Sequence, residues 1–172
     1  MSNETIEIRP ERNEDENGIR TLLALSFPTP AEADLVDALR GSAALAVSLV
    51  ATHGARVVGH VAASEVELDG GPAVRALGLA PLAVCAGHRR RGIGADLVRA
   101  SIDASRTLGA EFLVLLGEPA YYARFGFRPA RTWGLCDTFG GGDAFQALEL
   151  VHGAVPRAGG TVRYRAEFDA LG

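Results

Sequence analysis

The amino-acid sequence predicts an α/β (α+β) domain built round a mixed sheet of about 6–7 strands. Three observations lead there. Thr5–Arg9, Leu45–Thr52 and Arg56–Glu67 are short stretches of strand type, the first with strict alternation of apolar and polar residues. Between Val74 and Leu116 an apolar run, a helix-period segment and a second apolar run follow one another, which makes a βαβ unit and hence a parallel pair. Glycine-rich turns at 53–55 and 69–71 separate the earlier strands and call for hairpins, so parallel and antiparallel pairing coexist.

The elements follow in order. Ile6 and Ile8 alternate with polar neighbours in a strand that Pro10 stops. Glu11, Glu14, Asp15 and Glu16 precede Ile19, Leu22, Leu23 and Leu25, an amphipathic helix with carboxylates at its favoured end. The acidic run reads as a solvated helix start rather than a patch that steers a basic substrate. Pro28-Thr29-Pro30 breaks that helix, and Ala31–Arg40 forms a second one stopped by Gly41. His53 falls in a turn and His60 in a strand, each expected to be solvated or structurally bonded. Pro81 lacks the N–H of a central strand, so Val74–Val84 carries a bulge or lies at an edge. From Gly92 the spacing Ile93, Leu97, Val98, Ile102 marks one helix face, ending near Gly109. Phe112–Leu116 is continuously apolar, as a buried parallel strand would be. Ala120–Phe125 has room for a short helix, and Phe127 opens another strand. Arg131–Gly142, with Trp133 and Cys136, reads as a flexible loop; Ala144–Val151 and Val162–Phe168 read as the last strands.

At 172 residues the chain is most simply a single domain, 1–172, and 48% hydrophobic content excludes a disordered one. A net charge of −4 argues against nucleic acid as a partner. Two cysteines make no disulfide framework, and no Cys/His spacing suits a metal such as zinc. The N-terminus shows no charged-then-apolar signal and no apolar run approaches about 20 residues, so no membrane association and a cytoplasmic location are expected.

Against that acidic background, three arginines stand together in the stretch from Leu82 to Leu97. A strand there turns through Arg89, Arg90, Arg91, Gly92, Ile93 and Gly94 into a helix. A helix start presents unpaired N–H groups and the positive end of the dipole, which makes it an anion site. Gly92 and Gly94 allow close backbone approach and the arginines add permanent charge, so a diphosphate fits. The P-loop pattern is excluded, because Ala95-Asp96 stand where Lys-Ser/Thr should follow. A Rossmann fingerprint is excluded too, because Arg89 occupies the place of its first glycine.

The spacing Arg89-x-x-Gly92-x-Gly94 after a strand resembles the acetyl-CoA pyrophosphate loop of the GNAT superfamily of N-acetyltransferases. A second segment, Leu113 to Phe127 with Tyr122-x-x-x-Gly126-Phe127, resembles the strand and helix that follow in that superfamily, in the right order and one helix apart. The resemblance implies a central sheet with helices on both faces and parallel strands that splay around 74–84 and 112–116. It also implies acetyl-CoA as cofactor, with backbone of Leu82, Ala83 and Val84 along the pantetheine arm. Transfer would run directly to a small-molecule or peptide amine, with Tyr122 protonating the leaving sulfur and Tyr121 ranked behind it. Packing of both rings with Phe125 and Phe127 is the alternative. Glu118, Glu65 and Asp137 are candidate bases. Cys85 lacks a histidine partner for an acyl-cysteine route and reads as a packing residue. Where the family often has a proline two residues past the strand, Ala86 stands, followed by Gly87. The acceptor pocket is expected from 11–40 and 131–142, near Trp133, with dimerisation through the C-terminal strands. An acyl-CoA-binding module without catalysis is the alternative function.

Overall fold

A computed structural model describes residues 5–71 and 73–171. The reading of Met1–Glu4 as free of a targeting signal lies outside them. The chain runs β1 (Ile6–Pro10), α1 (Glu16–Ser26), α2 (Ala31–Gly41), β2 (Val47–His53), β3 (Arg56–Asp69), β4 (Ala76–Val84) and α3 (Ile93–Thr107). Then come β5 (Phe112–Leu116), α4 (Pro119–Tyr122), β6 (Arg128–Pro129), β7 (Leu135–Asp137), β8 (Phe145–Glu149) and β9 (Gly160–Arg163). The sheet order is β1-β2-β3-β4-β5-β8-β6, with β9 against the far end of β3 and β7 against β9. The sheet is mixed, as expected: β4 and β5 are parallel, as are β7 and β9, and the other pairs are antiparallel. Its nine strands among the described residues exceed the expected number; β7, 3 residues long, falls in the stretch read as a loop, while β6 and β9, at 2 and 4 residues, are shorter than the strands expected from Phe127 and over Val162–Phe168.

Helices cover both faces. Ile93, Leu97, Val98 and Ile102 of α3 are buried with Leu49, Ala51, Val58, Val61 and Leu77. Ile19, Leu22 and Leu23 of α1 are buried on the other side with Val50, Val57 and Ala83. The alternation Leu49, Val50, Ala51 assigns neighbours of one strand to opposite helices, as a pleated strand requires. Each fully buried aliphatic side chain contributes about 1.5–3 kcal/mol. Gly59 lets α3 lie close on the sheet, because a Cβ there would stand 2.9 Å from a Leu97 methyl.

Several expectations need correction. Leu25 is 81% exposed and does not belong to the buried face of α1. Gly41 completes α2, and the turn out of that helix is made by Ala43 at φ 56. The acidic run is not simply a solvated helix start. Asp15 is buried in a two-pronged pair with Arg9 at 2.6 and 3.0 Å. Glu11 accepts from Arg40 Nε at 2.8 Å and from the Ser48 hydroxyl. Ser48 in turn meets His60 Nε2 at 2.9 Å, so the fully buried His60 belongs to a polar cluster beneath α1 and α2. His53 is also bonded, its Nδ1 lying 3.2 Å from His88 Nε2. The segment 131–142 is a helical turn followed by β7, and Val162–Phe168 is split: the strand ends at Arg163, and helical turns occupy Ala166–Leu171.

Candidate active site

β4 and β5 are paired only from Ala76 to Gly78, opposite Phe112 to Val114, and part beyond that point. From Leu79 to Val84, β4 keeps β3 as its partner on one side. Cys85 donates its N–H to the Val58 carbonyl at 2.8 Å. By strand alternation the N–H and C=O of Val84 and Leu82 therefore point away from β3, into the gap. The β3–β4 register shifts where Ala80 and Pro81 stand opposite Ala62, the bulge expected from Pro81. At the fork, Gly78 leaves room for Tyr164, whose Cε1 would lie 2.6 Å from a Cβ placed there.

Past β4 the chain makes a helical turn, Ala86–His88, and then reaches Arg90 at φ 60 and Gly92 at φ 82 before α3 begins. A non-glycine residue in the left-handed region costs about 1–2 kcal/mol. Such strain gathers where backbone is aimed at a ligand. The two left-handed residues, Arg90 and Gly92, turn the chain sharply into α3, whose first-turn amides have no partner within the helix and stand ready for an anion. Arg89 Nε donates to the Val84 carbonyl at 3.0 Å, which lays its side chain over the mouth of the gap. Arg124 stacks on the Tyr121 ring, 4.2 Å from its centroid, at the same opening.

Of the residues singled out for binding, Leu82, Ala83, Val84, Arg89, Arg90, Gly92, Ile93 and Gly94 line one chamber of about 500 Å³. Arg91 does not line it. Its charge acts on His88, whose imidazole is held below its ordinary pKa by desolvation first and by Arg91, His53 and Arg56 after it. Tyr121 reaches this chamber, with its Oη 3.0 Å from where a Cβ on Gly94 would be.

A second chamber of about 440 Å³ shares Phe27 and Leu82 with the first. Tyr122 lines it; successive residues on a helix point in different directions, so the two tyrosines face different chambers. Gly117 makes the placement of Tyr122 possible, since a Cβ there would overlap its ring. Burial, then the neighbouring Tyr121, pushes the Tyr122 phenol up to about 12. The other walls come from α2 (Glu32, Leu35), the loop after β7 (Phe139) and the C-terminal turns (Phe168, Leu171). None of these was marked in the sequence, where the only pointer was the helix–break–helix at 11–40 and the loop at 131–142. Trp133 lies elsewhere, against the core formed by Phe112, Phe145 and Val162.

The three candidate bases do not line this chamber. Glu118 is exposed. Glu65 faces Arg75 at 3.5 Å in a broader groove of about 770 Å³ along β9. Asp137 accepts the N–H groups of Phe139 at 3.2 Å and Gly141 at 2.9 Å, so it shapes the loop that carries Phe139. Cys85 packs at the edge of both helix-covered cores, as expected, 3.7 Å from Arg56 Nη2. No helix among the described residues is long and apolar enough to cross a membrane.

A split sheet, with a helix start open at one end of the split and a half-buried phenol at the other, is a frame that suits an acyltransferase. The chain belongs to the GNAT family of acetyltransferases: the family profile for the acetyltransferase (GNAT) domain matches residues 7–130. It is 39% identical over 164 residues to the Escherichia coli N-acetyltransferase YhbS, covering 94% of this chain and 98% of that one. The crystal structure of YhbS in complex with CoA superimposes with a TM-score of 0.92, at 38% identity over 97% of this chain and 93% of the other. A GNAT acetyltransferase from Brucella melitensis in complex with acetyl-CoA gives a TM-score of 0.81, at 34% identity over 96% of this chain and 99% of that one.

Proposed function

We propose that the protein is a single cytoplasmic domain, residues 1–172, that transfers an acetyl group from acetyl-CoA directly to a small-molecule or peptide amine. The meeting of the two chambers at Phe27 and Leu82 carries this reading: one is cationic and floored by backbone amides, the other apolar and bounded by a half-buried phenol. The relatives crystallised with CoA and acetyl-CoA support it. The residues fit the donor. A side chain at Gly92 would meet nothing within 4 Å, so the cradle is open where a diphosphate needs access.

In this reading the amides around Arg90, Gly92, Ile93 and Gly94 bind the diphosphate, with Arg89 and Arg90 beside it and Arg91 adding charge from outside. Leu82 offers its N–H and C=O groups, and Val84 its N–H, to the pantetheine amides as a neighbouring strand would, and Ala83 holds that backbone down through its packing on α1. When bound, acetyl-CoA supplies an activated carbonyl and a sulfur leaving group. Tyr122 keeps its proton at neutral pH and presents it as a hydrogen-bond donor to that sulfur.

Incubation with acetyl-CoA and a panel of primary amines, followed by release of free thiol, tests the assignment. Thiol release that requires both substrates is expected. CoA binding by calorimetry with no release across the panel would overturn the catalytic reading in favour of a binding module.

A further inference from the structure

The second chamber has a charge pattern that narrows the acceptor. Glu32 is the one charged side chain on its wall among the described residues. Its Oε2 is buried and has no hydrogen-bond partner there. Glu32 as a whole is half-buried on the chamber wall, so this oxygen is placed to accept from a ligand's N–H. Around it stand five rings: Phe27, Tyr122, Phe139, Tyr164 and Phe168. Tyr164 bridges Phe139 and Phe168 at centroid separations of 5.7 and 5.0 Å. Three large apolar side chains that remain well exposed also belong to this wall: Leu116 at 40%, Phe139 at 37% and Leu171 at 37%. Exposed apolar surface concentrated at one cavity marks a site that is covered when an apolar ligand enters.

We propose that this chamber receives a primary amine carried on a hydrophobic or aromatic body, with its ammonium group on Glu32; the amine gives up one proton to solvent before it attacks the thioester as a neutral nucleophile. The assignment rests on the acetyltransferase reading above and specifies its acceptor. Glu32 and Leu35 stand one helical turn apart on α2, so the carboxylate projects from the same wall that the ligand's apolar body touches. The carboxylate pairs with the cation, and neighbouring ring faces favour it further. A polyamine or a polyhydroxylated amine is disfavoured: one carboxylate cannot match several charges, and the apolar wall leaves hydroxyl groups unpaired.

Calorimetric titration of the CoA-saturated protein tests this without turnover. The probes are 2-phenylethylamine, its uncharged analogue 2-phenylethanol, and spermidine. Phenylethylamine is expected to bind, spermidine to bind at least tenfold more weakly, and Glu32→Gln to weaken phenylethylamine about tenfold while leaving phenylethanol and CoA unchanged. Phe139→Ala should weaken the amine and the alcohol together. Equal phenylethylamine affinity in wild type and Glu32→Gln would overturn the proposal, as would tighter binding of spermidine. Loss of CoA binding in the wild type would instead overturn the acetyltransferase reading itself, so the two failures are distinct.

Discussion

Replacing Tyr122 by phenylalanine removes one oxygen and keeps the ring in its edge-on contacts with Tyr121 at 4.9 Å and Phe127 at 5.9 Å. The size of the effect follows from the environment of the phenol. Burial pushes it to about 12, whereas a thiol ordinarily titrates near about 8.5. A sulfur leaving in the same gap would be raised by burial as well, so the comparison fixes only that the phenol holds its proton at neutral pH. In the function proposed above, the phenol serves the leaving sulfur as a hydrogen-bond donor and keeps its own proton at neutral pH. A hydrogen bond to a charged partner is worth about 1.5–3 kcal/mol, so kcat is expected to fall by roughly 10- to 150-fold. Steady-state thiol release at saturating acetyl-CoA gives kcat, and calorimetry gives the Kd for CoA, expected to stay within about twofold of wild type. Tyr122 should contribute no falling limb to the wild-type pH profile below about pH 11. A kcat within about twofold of wild type would refute the reasoning, because the hydroxyl would then contribute packing alone. A loss of CoA affinity equal to the loss of turnover would refute it equally.

Other consequences concern the scaffold. Burial alone would raise the Glu11 carboxyl, but contacts with His60, Arg40 and Ser48 hold it at about 2. A depressed carboxyl stabilises the fold above its unfolded value, and the contribution is lost as pH falls from about 4.5 towards about 2. Its size at neutral pH is about 3 kcal/mol. Glu11→Gln should lower the urea-unfolding free energy at pH 7 by about 2 kcal/mol and flatten its decline between pH 5 and 3; an unchanged decline would place the responsible group elsewhere. Gly117→Ala should lower kcat with little change in CoA affinity, because the new methyl displaces the Tyr122 ring. Turnover at the wild-type rate would show that the ring's position is not critical. Gly92→Ala should cost about 1 kcal/mol in backbone strain and raise the Kd for CoA. Gly87→Ala serves as its control, since it too meets nothing within 4 Å but has no left-handed φ to satisfy. Equal effects of the two on Kd would argue against a pre-shaped turn into α3.

The donor side was legible in the sequence because its determinants are local. Arg89 to Gly94 lie on one loop, the helix after it declares its buried face by spacing, and Pro81 announces the bulge from which β4 diverges. Tyr122 was singled out through its fixed distance from Gly126, and its ring lines the second chamber. The acceptor side was not, because Glu32, Phe139, Tyr164 and Phe168 come together only through tertiary approach of segments far apart in the chain. The Glu11–Arg40–Ser48–His60 cluster escaped for the same reason. In each case the residue type is unremarkable on its own element, and only burial beside a distant partner gives it a role.

The family profile ends at residue 130, while Phe139, Tyr164, Phe168 and Leu171 all lie beyond it. In the function proposed above, part of the acceptor wall thus lies beyond the stretch that the profile covers, while Glu32, Leu35 and Tyr122 of the same wall lie within it. Drift in the last forty or so residues can retune which molecule is modified without disturbing the machinery that activates the acetyl group. Two chains alike through residue 130 need not share a substrate.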